Sequence, residues 1–160
     1  MRTLLAVKRD QPVAKPTTPY QKMRRIEALL PLVSEEIPID SLTSHAWCDG
    51  VYCRRFFLPK DAMVVSKVHK KQNWFLLFSG ECSIYDGSGK ATRIKAPYLM
   101  VTEPGTKRVL YAHEDTVIHT FHGNPDNEQD LTALEERYII PEAKPTLPPS
   151  EIRMLLENNR

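Results

Sequence analysis

Pro59-Lys60-Asp61-Ala62-Met63-Val64-Val65-Ser66-Lys67-Val68-His69-Lys70-Lys71-Gln72-Asn73-Trp74-Phe75-Leu76-Leu77-Phe78-Ser79-Gly80 is the stretch that decides the fold. It reads as an apolar strand, a polar turn around Lys70-Lys71-Gln72, a second apolar and aromatic strand, and a closing glycine. Residues two apart on a strand face the same side. If the first strand runs to His69, Lys67 and His69 share a face.

Outward from this stretch the same texture continues. Short runs rich in Val, Ile, Phe, Tyr and Thr cover 51–58, 62–69, 73–79, 81–86, 91–95, 98–102, 107–112 and 116–122. They are separated by Pro59-Lys60-Asp61, Asp86-Gly87-Ser88-Gly89, Ala96-Pro97, Pro104-Gly105 and His113-Glu114-Asp115. Eight short strands at regular spacing predict an all-β barrel or sandwich. Asp86-Gly87 is a hairpin signal, because glycine accepts positive φ.

The predicted barrel occupies 46–124 and is flanked by two arms. Residues 1–45 form an N-terminal arm, extended and proline-bearing at first. A helix is expected over about 19–30, capped by Thr18 and ended by Pro31. Residues 125–160 carry two more short helices, about 131–137 after Asp130 and about 151–158 after Ser150, joined by a proline-rich tether. The helix stripes Met23 with Ile26, and Ile152 with Leu155 and Leu156, each need a surface to dock on.

The net charge of +2 conceals an asymmetry: residues through Arg25 carry +6 and the remainder −4. Arg2, Lys8, Arg9, Lys15, Arg24 and Arg25 therefore join the apolar stripes as candidates for docking on a partner protein. No base-reading motif accompanies the basic arm, so nucleic acid is not an expected partner. No apolar run approaches the roughly 20 residues of a membrane span. The apolar part of the N-terminus is too short for a secretory signal. Cys48, Cys53 and Cys82 are an odd number without a paired framework, which points to synthesis in a reducing compartment. No nucleophilic triad, phosphate-cradling glycine loop or zinc-ligand spacing is present, and no catalytic residue is assigned.

The opening stretch resembles the first signature of the cupin barrels, G-x5-H-x-H-x(3,4)-E-x6-G. Asp61 stands at its first glycine, Lys67 and His69 at its histidines, Asn73 at its glutamate and Gly80 at its last glycine. The second signature is similar to residues 97–112, with Arg108 at its histidine. The resemblance implies a double-stranded β-helix, or jelly-roll, barrel. Lys67 and Arg108 are poor metal ligands and Asn73 a weak one, so neither metal nor other cofactor is expected. Lys67, His69, Asn73 and Arg108 are candidates to face one interior space. Either Lys67 or Arg108, or both, bend to the barrel mouth and are solvated there, or the two cations need an anionic counterpart, an internal carboxylate or a bound small anion.

Finer pieces are similar to small cupin-like proteins encoded by tailed bacteriophages and prophages. They are Val51-Tyr52-Cys53-Arg54, Val68-His69-Lys70, Phe78-Ser79-Gly80, Pro104-Gly105-Thr106-Lys107-Arg108, Tyr111 to Val117, Phe121-His122-Gly123-Asn124, and Asp130-Leu131 with Leu134-Glu135. Together they span about 50–137. This resemblance implies a virion protein made in the host cytoplasm. Its barrel would be a non-catalytic module, tail adaptor, fiber anchor or head decoration, docked on other phage structural proteins and assembled as a homo-oligomer or within a symmetric assembly. The alternatives are a small-anion-binding protein and a metal-independent cupin epimerase, isomerase or lyase, for which His69 with Tyr111 or Tyr85 has the residue types.

Overall fold

The structure, a computed structural model, describes residues 18–158. Nine strands form two antiparallel sheets: β1 Thr43–Cys48, β2 Gly50–Leu58, β3 Met63–Val65, β4 Asn73–Ser79, β5 Glu81–Tyr85, β6 Thr92–Lys95, β7 Tyr98–Thr102, β8 Val109–Ala112 and β9 Thr116–Asn124. Their order is β1-β2-β9-β4-β7 in one sheet and β3-β8-β5-β6 in the other. Consecutive strands thus alternate between sheets through most of the chain, and the fold is a cupin-type double-stranded β-helix. Its apolar interior is filled by Leu58, Phe75, Leu77, Cys82, Ile94, Leu110, Ala112 and Ile118. None of the described helices is long and apolar enough to cross a membrane.

The opening stretch keeps its two backbone corners. Asp61 adopts φ +64 and Gly80 φ +85, the left-handed region that most side chains avoid. Gly80 is fixed for a second reason. A Cβ there would lie 2.4 Å from the Asp115 carbonyl oxygen and 2.9 Å from Thr116 Cα. The expected first strand, however, ends at Val65. Residues 66–72 leave the sheet, and alternation no longer decides which way their side chains point.

Helix α1 runs Pro19–Val33, not to residue 30. Thr18 and Gln21 form a reciprocal capping box, and Pro19 suits the first turn. Pro31 lies inside the last turn. A proline there removes one intrahelical bond, but Ser34 closes the end by donating its N–H and its hydroxyl to the Leu30 carbonyl.

The helix lies beside β3, an edge strand of the four-stranded sheet. Pro19 presses on Gly87, whose carbonyl accepts a bond from Lys22 Nζ. Met23 is fully buried. Arg24 pairs with Glu27 and Glu142, and Arg25 lies 2.5 Å from Glu151, itself buried on helix α3, Pro149–Asn158. Met23, Arg24 and Arg25, expected as partner-docking residues, are therefore engaged within the chain. Ile26 and Ile152 are half-buried. Arg2, Lys8, Arg9 and Lys15, and the side chains of Leu155 and Leu156, lie outside the described residues.

The clamp between helix and barrel is charged. Lys107 is buried, with Nζ 2.7 Å from Glu142, 3.1 Å from Glu27 and 3.2 Å from the Ser66 carbonyl. The Tyr20 hydroxyl donates to Glu142 at 2.7 Å. Burial alone would raise the Glu142 pKa. The hydrogen bonds from Lys107 and Tyr20 outweigh it and hold the carboxyl below its ordinary value.

Candidate functional site at the polar end of the barrel

The inward residues of five strands change character together from one end of the barrel to the other. Leu58 and Phe56 give way to Arg54 and Tyr52 on β2, and Leu77 and Phe75 to Asn73 on β4. Met100 gives way to Thr102 on β7, Ala112 and Leu110 to Arg108 at the start of β8, and Ile118 to Thr120 and His122 on β9. The antiparallel register brings these ends together. Asn73 pairs with Thr102, Tyr52 with His122 and Arg54 with Thr120. One end of the interior is therefore hydrocarbon and the other polar.

Helix α2, Leu131–Tyr138, closes against the polar end. Its side chains Leu134 and Tyr138 are buried with Tyr52. The Tyr138 hydroxyl donates to the Gly123 carbonyl. The chain after the helix runs beside residues 68–70: Ile140 N–H bonds the Val68 carbonyl and Lys70 N–H the Tyr138 carbonyl, with His69 and Ile139 as a β-bridge. This holds His69 at the polar end without a strand of its own. Its ring stacks on His122, centroids 5.3 Å apart. His122 in turn meets Tyr52 at 5.7 Å and Tyr138 at 4.9 Å. The Tyr52 hydroxyl is 2.7 Å from His45 Nδ1.

The pocket expected from sequence is thus redrawn. Lys67 does not enter it. Its side chain is exposed, with Nζ 2.5 Å from Glu135 on α2, because β3 has already ended and the strand parity with His69 is lost. His69 is half-buried at the polar end, and Asn73 is enclosed beneath it at 5% exposure. Arg108 is half-buried and donates from Nη1 to Thr102 Oγ1 at 2.9 Å. Arg54 and Thr102 have no site role in the sequence reading, and of His119 and His122, which lie at opposite parity on one strand, it is His122 that faces inward. Parity along β2 from Leu58, and along β9 from Ile118, is the signal that would have found Arg54 and His122. Tyr111 and Tyr85 have the opposite parity to the interior residues of β8 and β5. Tyr111 donates to Asp61 instead, so neither forms an acid–base pair with His69.

Both histidines are held neutral. Burial and the nearby charges of Arg54 and Arg108 push His69 down to about 4. Burial, His69 and Arg54 do the same to His122, also to about 4. The residues do not suit a metal dication. Two imidazoles are close, but they share their end of the barrel with two guanidiniums. Among the described residues no three or more His, Cys, Asp or Glu side chains form a metal-ligand group.

These values set a pH dependence. The unfolded histidines bind protons near 6.5 and the folded ones near 4, so stability is full above about pH 6.5 and falls as the pH drops toward 4. The expected slope is about 1.4 kcal/mol per pH unit for each histidine. Urea unfolding between pH 4 and 7 measures it, and His122→Phe is expected to flatten it. A slope unaltered in that variant would show that His122 is not held neutral.

No known family profile matches the chain, and no curated protein is significantly similar to it. Several solved structures do align with part of the chain. An uncharacterized conserved protein with a double-stranded β-helix domain from Klebsiella pneumoniae is 17% identical, with 59% of this chain and 94% of that one covered and a TM-score of 0.46. A cupin superfamily protein from Desulfitobacterium hafniense is 12% identical, with 61% and 86% covered and a TM-score of 0.45. Salicylate 1,2-dioxygenase from Pseudoaminobacter salicylatoxidans is 13% identical, with 74% of this chain but 34% of that one covered and a TM-score of 0.49.

Proposed function

We propose that this chain is a structural or interaction protein of a tailed-phage particle, a rigid cupin barrel that pairs with a second copy of itself and is carried among other virion proteins. The phage assignment rests on the sequence resemblance over residues 50–137. The observation that carries the interaction reading is the outer face of the five-stranded sheet. Trp74, Phe78 and Leu99 are 50%, 62% and 57% exposed there, and Val101 is exposed beside them. The register places Trp74 against Val101 and Phe121, and Leu76 against Leu99.

Among the outward positions of β2, β9, β4 and β7, Arg55 is the sole fixed charge. Trp74, Phe78, Leu99 and Val101 alone offer on the order of 400 Å², about half of what each partner gives to a standard interface. Phe57, Leu76, Val117 and Phe121, half-buried on the same face, extend the patch. A nearly uncharged face has no sign to match, so a second copy related by a two-fold axis covers both patches at once. The basic residues Arg2, Lys8, Arg9 and Lys15 are left as candidates for contacts with other particle proteins.

Two measurements test this. Mass spectrometry of purified particles should find the chain in fixed stoichiometry with a known particle component, and its absence would refute the virion role. Light scattering should find dimers, and Trp74→Glu with Leu99→Glu should weaken self-association by about 100-fold or more. A wild-type monomer at high concentration would refute the pairing.

A further inference from the structure

The polar end of the barrel carries a mismatch that the particle role does not use. Asn73 is enclosed, yet neither its amide nitrogen nor its amide oxygen has a hydrogen-bond partner among the described residues, and His122 Nδ1 shares that condition. A buried amide left unpaired bears the full penalty of its desolvation. At the same end of the barrel stand Arg54 and Arg108, both half-buried. Neither forms an ion pair among the described residues. Arg54 has a 3.4 Å contact to Thr43 Oγ1 and lies over the Phe56 ring, 5.6 Å from its centroid, and Arg108 has the Thr102 hydroxyl. The carboxylates whose fields reach them, Glu135 and Asp40 for Arg54 and Asp86 for Arg108, act across a distance.

We propose that this end of the barrel binds a small hydroxycarboxylate. The planar guanidiniums supply the fork that a carboxylate matches. The Asn73 amide decides the rest of the chemistry. It has an unused donor, which a carboxylate oxygen satisfies, and an unused acceptor, which a carboxylate cannot satisfy but a hydroxyl can. The stacked rings of His69 and His122 give the carbon skeleton an apolar wall. Chloride, sulfate or a plain carboxylate would leave the amide oxygen unpaired, and a site with a buried unpaired group discriminates strongly against such a ligand. Phosphate carries a P–OH that satisfies the acceptor, so it is the inorganic competitor to test.

The test uses the full chain and two matched pairs, lactate with propionate and malate with succinate, by calorimetry at constant chloride. Inorganic phosphate is the third arm. The hydroxy acid of at least one pair should bind at least tenfold more tightly than its deoxy partner, and its titration should shift the side-chain amide resonances of Asn73. Arg108→Met should weaken binding tenfold or more. Asn73→Leu should remove the preference for the hydroxyl while leaving the melting temperature undiminished, since it replaces an unpaired amide by a hydrocarbon of similar size. Equal binding of the deoxy acids, binding of phosphate alone, no binding above chloride, or unmoved Asn73 resonances would each overturn the proposal. So would a marked loss of stability in Asn73→Leu, because it would mean the amide already has a partner.

Discussion

Gly80→Ala should lower the stability of the fold by at least about 3 kcal/mol, the sum of a left-handed backbone penalty and a steric one. The residue sits at φ +85, where an L side chain is strained. Its new methyl would meet backbone at Asp115 and Thr116, not the free end of a side chain that could swing aside. The contact joins the corner between β4 and β5 to the start of β9, so relief would have to move strands in both sheets. Gly123→Ala is the control. Gly123 needs no positive φ and its Cβ would meet nothing within 4 Å. Urea unfolding of the two variants should separate them clearly, and equal costs would show that the corner has room to relax.

Lys107→Met should cost about 3 kcal/mol, the usual consequence of removing one member of a buried ion group. The side chain is 2% exposed and answers two carboxylates, Glu27 and Glu142. Arg24 and Tyr20 would still contact Glu142, which limits the loss. The effect should concentrate on α1, because Lys107 ties that helix to the barrel. Hydrogen exchange of the 19–33 amides should rise more than that of β9. Combining Lys107→Met with Glu142→Leu should cost less than the two single changes added together, since the pair is then replaced by hydrocarbon. Strict additivity would mean that the two side chains are not coupled.

Most of the barrel was readable because short runs rich in apolar and β-branched residues are separated by turn residues. The runs at 51–58, 73–79, 98–102 and 116–122 all contain strands, and the corners carry Asp61, Gly80 and Gly87, whose positive φ the local sequence suits. Strand β1 was not readable. Its inward residues are Thr43, His45 and Trp47, and as an edge strand paired only with β2 it has no apolar period. Pro31 does not end the helix at residue 30, because in the last turn it removes one intrahelical bond and Ser34 still caps the Leu30 carbonyl. At the site, Asn73 and Arg108 were legible from a motif frame, while Lys67 was misplaced because residues 66–69 are not strand. Arg54 and His122 look unremarkable in sequence. Their position depends on which end of each strand they occupy, and that becomes visible only when five strands are laid side by side.

The clamp on α1 also fixes an order of events during synthesis. Residues 19–33 leave the ribosome long before Glu142 and Glu151, which they need for Tyr20, Arg24 and Arg25. At about 5–20 residues per second the wait is roughly 6–25 s. The large sheet waits almost as long, because β9 lies between β2 and β4 and supplies the edges of both. A basic amphipathic segment with an uncovered Met23 is thus presented on every nascent chain. A chaperone or an assembly partner that reads such a segment has its opportunity then, before the finished barrel hides it.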